Sequence, residues 1–523
     1  MPSVWLEQAR AYPGGAVATP HYLASSAGAA MLAAGGNAVD AALAANLVLG
    51  VVTPYMCGFG GDLLTMVWDG GVHAYRGVGR APQGATAAAV RERSGSDEMP
   101  VFGPHPATVP GAIDGWFTML ERWGTRSFGE VAATALHYAE NGFPVTARGA
   151  WFFQHTARLF THFDLHDFGS YYGEVRAGTV IRQPQLARTI RALADGGPDI
   201  YYRGPIGAAI AERLQEAGGF MTAADVAAHT GAWVEPLRAH FRDTEVLEMP
   251  PPTQGVTALE ALRILDGLEL GTDGPARQHL LIEAVKCALA DRDAHLGDPD
   301  AMPVAPVELL GDDWIGTRRA RIDPARAAAF PARPGPDGGT VYLCAADRDG
   351  LLVSLIQSNF AAAGCGLRVH DWGINLHNRG SAFRLDAEHP NAIGPRKMPL
   401  HTLIPALALR DGAPWLVFGT EGGHGQAQTH AQLLTRMVVD GDDPQAAISA
   451  PRFTVDPTTG RVAVEDHMDP AWIDDLRRRG HPVDVVKGYR HGPGIAHAIE
   501  TTGGHPPYRA ASDPRAEGGT AGA

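Results

Sequence analysis

GPDGGTVYLCAADRDGLLVSL, residues 335–355, passes from a Pro/Gly-rich run straight into an apolar strand whose first residue is Thr340. The run belongs to a segment, 331–339, with the composition of a linker and nothing that forms a helix. Beyond Thr340 the texture is that of strands. TVYLCAA, the turn DRDG and LLVSLIQ read as one hairpin, and LIPALAL, the turn RDG and APWLVFG as a second, both punctuated by Asp-Gly. Nearly every position in these strands is apolar, which fits sheets covered on both faces.

The covering helices come mostly from the first 330 residues. YLASSAGAAMLAAG and AVDAALAANLVLGVV, joined at Gly35-Gly36-Asn37, predict a hairpin of two small-residue helices that approach closely. Residues 109–230 carry amphipathic stretches such as GAIDGWFTMLERWG and GAAIAERLQEAGG, each stopped by glycine. The expected class is α/β in the broad sense (α+β), with a four-layer helix, sheet, sheet, helix (αββα) sandwich. Two units are expected to meet at the linker: a helix-rich 1–339 and a strand-rich 340–523.

At 523 residues, 45% apolar and 19% charged, the chain buries a large core, and its 64 glycines and 39 prolines make it loop-rich. A net charge of −14 with no basic run argues against nucleic-acid partners. No apolar span of membrane length and no signal-like N-terminus is seen, so a cytoplasmic protein with no membrane partner is expected. Cys57, Cys287, Cys344 and Cys365 form no CxxC pair and read as small core residues. Gly58-x-Gly60-Gly61 precedes a strand, whereas a phosphate cradle needs glycines between a strand and a helix. His162 and His166, four apart beside Asp164 and Asp167, would share one helix face and are the best metal-ligand candidates. They lack the glutamate of an HExxH arrangement, so neither a metal nor an organic cofactor is expected.

Thr340 raises a chemical question. A threonine hydroxyl is a poor nucleophile at neutral pH because nothing in the side chain removes its proton. Cutting the Gly339–Thr340 bond would free an α-amino group, pKa about 8, beside that hydroxyl as a built-in base. The two preceding glycines would permit the tight turn such a cut needs. An ordinary strand-initial threonine has the same local spacing, and spacing alone does not separate the two.

A resemblance does separate them. ASSAGAAMLAAGGNAVDAALAANLVLGVVTP, ATVPGAIDGW, MPPPTQG, HLLIEAVKCALADRDAHLGDPD, the Thr340 segment, KMPLHTLIPAL, GTEGGHGQ and ASDPR, in this order, resemble the γ-glutamyltranspeptidase family of N-terminal-nucleophile hydrolases. The resemblance implies self-cleavage between Gly339 and Thr340 into a large and a small subunit that remain partners; whether such heterodimers form a homo-oligomer is left open by the sequence. It implies Thr340 as nucleophile, Ser358 as the supporting hydroxyl, and Gly422 and Gly423 as oxyanion-hole donors. Asn359 lies one position off a pocket asparagine of the family.

The departures concern specificity. Where the family holds the substrate α-carboxylate with an arginine, this chain has Val78, with Arg76 and Arg80 at the wrong offset. Where it holds the α-amino group with an aspartate, this chain has Ala382, and its tandem serines become His401 and Thr402. GVGRAP, LHNRGSAF and GTEGGHGQAQTH are similar to the branch with oxamate amidohydrolases and cephalosporin-acylase-like proteins. Glu421, His424 and Cys365 are further pocket candidates, and Arg379 is a candidate anion-recognising residue because its guanidinium can grip a carboxylate bidentately. The expectation is a threonine amidohydrolase acting on a small carboxylate-bearing amide. γ-Glutamyl hydrolysis or transfer, and an unprocessed binding protein without catalysis, are the alternatives.

Overall fold

The computed structural model describes residues 8–329, 339–488 and 494–523; of the expected linker only Gly339 falls among them. Thr340 is the second residue of strand Gly339–Ala346. This strand pairs antiparallel with Leu352–Phe360 on one side and Ala16–Thr19 on the other. Leu352–Phe360 in turn pairs with Asp62–Trp68, and Gly519–Gly522, Val72–Gly77 and Ala232–Val234 complete a seven-stranded sheet. A second seven-stranded sheet contains the hairpin Ala406–Arg410 and Ala413–Thr420, flanked by Thr244–Glu248 and Ala496–Thr502. Gly350 (φ 92°) and Gly412 (φ 76°) close the two hairpins in the left-handed region that their Asp-Gly turns require.

Side-chain alternation sorts these strands into layers. In Gly339–Ala346, Val341, Leu343 and Ala345 face a core built with the helices Tyr22–Ala33, Ala38–Val52 and Phe128–Asn141. Tyr342, Cys344 and Ala346 face the other way and meet Leu407, Val417 and Ile499 of the second sheet. That sheet's outer face, with Ala408, Leu416 and Phe418, packs on the helices Gly255–Asp266, Pro275–His295 and Gln426–Thr435. Three apolar cores between four layers are the αββα sandwich, and each fully buried Val- or Leu-sized side chain contributes about 1.5–3 kcal/mol.

The helix Ala38–Val52 begins at a capping box between Asn37 and Asp40 and is buried at every position. Its alanines explain this: only small side chains let a helix lie against the sheet beneath and a second helix beside it at once. Because Gly339–Ala346 is paired on both edges, with Ala16–Thr19 from the N-terminal part, a break before Thr340 would leave both pieces in one sheet. Among the described residues no helix is long and apolar enough to cross a membrane.

Candidate active site

The Thr340 hydroxyl is buried and donates to Ser358 Oγ at 3.1 Å. Ser358 in turn donates to the carbonyl oxygen of Gly339 at 2.7 Å, the carbonyl of the bond expected to break. The register irregularity between Gly339 and Val341 shifts this end of the strand. Phe360, at φ 72°, directs its own N–H onto Ser358 Oγ at 2.7 Å and so fixes the serine.

Directly across from Ser358 on the neighbouring strand lies Asp62, its register partner, on the same face of the sheet. Asp62 is completely buried and fully engaged. Oδ1 accepts the N–H groups of Gly79 and Gly111 at 3.2 Å each, and Oδ2 accepts from His401 Nε2 at 3.1 Å, with His377 Nδ1 at 3.7 Å. Burial works to raise the Asp62 carboxyl, but His377, His401 and Arg379 outweigh it and hold it below the ordinary carboxylate range. His401 accepts the Leu403 N–H at Nδ1, so its proton is on Nε2. Burial, then the charge of Arg379, brings it down to about 3.

Arg379 is the cation of this cluster and is completely buried. Nη1 donates to Thr402 Oγ1 at 3.0 Å, Nη2 reaches Ser358 Oγ at 3.4 Å, and the guanidinium lies 3.8 Å from the Phe360 ring centroid. Its Nε has no partner, and among the described residues no carboxylate lies within ion-pair distance of it. Burial pulls the guanidinium down to about 9, against the opposing field of Asp62. A buried cation whose direct partners are two neutral hydroxyls has donors left for an anion.

The glycine loop follows strand Ala413–Thr420 and precedes helix Gln426–Thr435. Gly422 (φ 115°) and Gly423 (φ 54°) both occupy the left-handed region. Gln254 ties this loop to the Arg379 cluster: its Nε2 donates to the carbonyls of Thr402 and Gly423, both at 2.8 Å. Arg292 holds Gln254 Oε1 and His424 Nδ1, each at 3.0 Å, so His424 belongs to the support of the loop. Glu421 is buried, with Oε2 lacking a hydrogen-bond partner, and burial pushes its carboxyl up to about 8.

Other sequence candidates fall elsewhere. Asn359 alternates to the opposite face from Ser358 and lines a small cleft with Gly58, Cys57 and Tyr172, so it does not join Ser358. Val78 is core, Arg76 donates to the Pro251 carbonyl, and Arg80 to that of Arg396. The backbone of Ala382 accepts from Asn391. Cys365 is packed in the helix-side core, where burial pushes its thiol up to about 12.

The shared face expected of His162 and His166 does not form. Helix Ala147–His162 ends at His162, Asp164 turns to φ 58°, and His166 pairs with Asp164 at 2.9 Å on the surface. Among the described residues the side chains of metal-ligand type that do converge are His279, Glu283 and His481. There Lys286 Nζ donates to Glu283 at 2.9 Å and His481 Nδ1 at 3.3 Å, so an ammonium already supplies the positive charge. Sequence reasoning missed Asp62, His377 and Gln254; an acidic residue opening an otherwise apolar strand, GGDLLTMVW, was the available signal for Asp62.

Residues 24–523 match the profile of the Gamma-glutamyltranspeptidase family. The chain belongs to that family. It is 36% identical, over 97% of its length and 98% of the relative's, to the Glutathione hydrolase-like YwrD proenzyme of Bacillus subtilis. It is also 36% identical, again over 97% and 98%, to the Oxamate amidohydrolase proenzyme of Klebsiella pneumoniae. The structure superposes on the cephalosporin acylase of Bacillus halodurans with a TM-score of 0.94 at 35% identity, covering 98% of this chain and 97% of that one. The chain is thus an N-terminal-nucleophile hydrolase of the γ-glutamyltranspeptidase family, on the branch that holds the oxamate amidohydrolase and the acylase.

Proposed function

We propose that this chain is a self-processing threonine amidohydrolase that cuts itself between Gly339 and Thr340 and then hydrolyses a small, carboxylate-bearing amide. The observation that carries the reading is the hydrogen-bond chain from Thr340 Oγ1 through Ser358 Oγ to the Gly339 carbonyl. Ser358 polarises that carbonyl while standing next to the hydroxyl that attacks it. Attack converts the peptide into an ester on Thr340 and frees the α-amine, and water then releases residues 1–339 as the large subunit from 340–523.

In the mature enzyme the α-amine, with an ordinary pKa of about 8, takes the Thr340 proton as the hydroxyl attacks the substrate amide. The oxyanion is received by the N–H groups of Gly422 and Gly423 at the start of a helix, each such donor being worth about 3–4 kcal/mol of barrier. The α-ammonium returns its proton to the leaving amine, and water, or an amine acceptor, resolves the acyl-Thr340 ester. Arg379, with Thr402 orienting it, takes the substrate carboxylate.

γ-Glutamyl hydrolysis is the second reading, favoured by the glutathione hydrolase-like relative. Against it stand Val78 and Ala382 in place of both charged clamps, and Asp62, whose oxygens are occupied and unavailable to a substrate ammonium. Purified wild-type protein should run as two fragments on a denaturing gel, with Thr340 as a new N-terminus. Thr340→Ala should remain one chain and be inactive. Turnover should be greater with oxamate or short dicarboxylic monoamides than with a γ-glutamyl anilide. A stable, uncut wild-type chain would support the non-catalytic binder, and strong anilide turnover the γ-glutamyl reading.

A further inference from the structure

Asp62 is a carboxylate buried at the mouth of an otherwise apolar strand, and no step of acylation or deacylation uses it. A buried charge is costly unless its oxygens are engaged, and here they are engaged by a cradle that only glycine can form. Gly79 and Gly111 both turn their N–H groups onto Oδ1 at 3.2 Å. Neither position has room for a side chain: a Cβ on Gly79 would lie 1.5 Å from the Val109 carbonyl oxygen, and one on Gly111 2.2 Å from that of Gly77.

From this fixed carboxylate a line of contacts runs to the cation of the site. His401 donates Nε2–H to Oδ2 at 3.1 Å, and its own main chain is pinned, its N–H donating to the Pro252 carbonyl at 2.8 Å and its carbonyl accepting the Gln254 N–H at 2.9 Å. The next residue, Thr402, accepts from Arg379 Nη1 at 3.0 Å, and Arg379 Nη2 reaches Ser358 Oγ at 3.4 Å. Ser358 is the register partner of Asp62 on the neighbouring strand, so the line closes on itself. We propose that Asp62 is a positioning residue: through His401 it fixes Thr402, and through Thr402 it holds the Arg379 guanidinium in the orientation that receives the substrate carboxylate. This assignment rests on the carboxylate-amide reading of the site and adds to it the group that sets the aim of Arg379.

The arrangement works because Asp62 and Arg379 do not pair. Oδ1 is taken by two N–H groups and Oδ2 by His401, with His377 Nδ1 at 3.7 Å, so Asp62 does not draw the guanidinium away from a substrate. Its charge still favours the charged form of Arg379 against the effect of burial. Asparagine cannot take its place. A single amide oxygen can face the two glycine N–H groups or the His401 Nε2–H but not both, and His401 is held in its tautomer because Nδ1 accepts the Leu403 N–H at 3.3 Å. With the oxygen left to the glycines, an NH2 group opposes Nε2–H, and His401 must move and take Thr402 with it.

The test is kcat/KM for oxamate and for its neutral analogue pyruvamide on mature Asp62→Asn, alone and combined with Arg379→Met. Alone, the substitution should lower the oxamate value about 30-fold, chiefly through KM, and the pyruvamide value no more than about threefold, because a misplaced guanidinium penalises the substrate that needs it. In the Arg379→Met background it should leave the oxamate-to-pyruvamide ratio unchanged to within about twofold. An equal loss for both substrates, or a selective loss that persists without Arg379, overturns the proposal. Should Asp62→Asn not mature, Thr402→Val cuts the same line one link further on; a selective loss of oxamate turnover is again expected, and its absence overturns the proposal. If Arg379→Met itself leaves the ratio at the wild-type value, the carboxylate reading falls, and the assignment of Asp62 falls with it.

Discussion

Replacing Arg379 by Met tests how the substrate is recognised. The methionine fills similar space against Phe360 but removes the guanidinium that bonds Thr402 at 3.0 Å and approaches Ser358 at 3.4 Å. For a neutral amide the loss is that of ordinary hydrogen bonds, about 1 kcal/mol, or about fivefold in kcat/KM. For a carboxylate-bearing amide the substrate anion would be buried without its partner, which costs about 3–5 kcal/mol. At 1.4 kcal/mol per tenfold this is about a 100- to 4,000-fold loss. Arg379→Lys should fall between, since it keeps the charge and loses the planar fork. The assay is kcat/KM for oxamate and pyruvamide on matured protein, with maturation checked on a gel. An equal loss for both substrates would show that Arg379 acts only through Ser358 and does not hold the substrate carboxylate.

Two further perturbations follow from the geometry. Gly422→Ala places a side chain at φ 115°, so the loop should shift its N–H off the oxyanion position and kcat should fall about 100- to 1,000-fold with little change in KM, readable by steady-state kinetics. His401 is held neutral, its folded value brought from the ordinary 6.5 down to about 3 by burial and then Arg379. Below pH 6.5 the unfolded chain therefore binds the extra proton, and stability is lost as pH falls. Between pH 6.5 and 4.5 His401→Gln should lose about 2 kcal/mol less stability than the wild type in urea titrations.

Much of the fold is legible because its signals are local. The helix 38–52 has its cap in Asn37 and its composition in alanine, and both hairpins carry their turns as Asp-Gly. The glycine pair shows in the sequence because only glycine readily takes two successive left-handed positions. Asp62 is different: it matters by standing opposite Ser358, 296 residues away, and no local pattern encodes a register between distant strands. Gln254 and Arg292 are hidden for the same reason, since they support the loop from another layer. The expectation for His162 and His166 assumed a continuous helix, and the left-handed Asp164 ends that premise. Asn359 could not be placed from the sequence either, because the register irregularity beside Thr340 sets both Ser358 and Asn359 opposite it, and only the structure shows Asn359 lining the cleft of Gly58 and Tyr172.

Self-processing at Thr340 is tested most directly by the intact mass of catalytically active protein under denaturing conditions. Two chains are expected, with masses that place the break between Gly339 and Thr340. A single unbroken chain that hydrolyses amides would rule out the built-in base, since its Thr340 would have no free amine to take the proton.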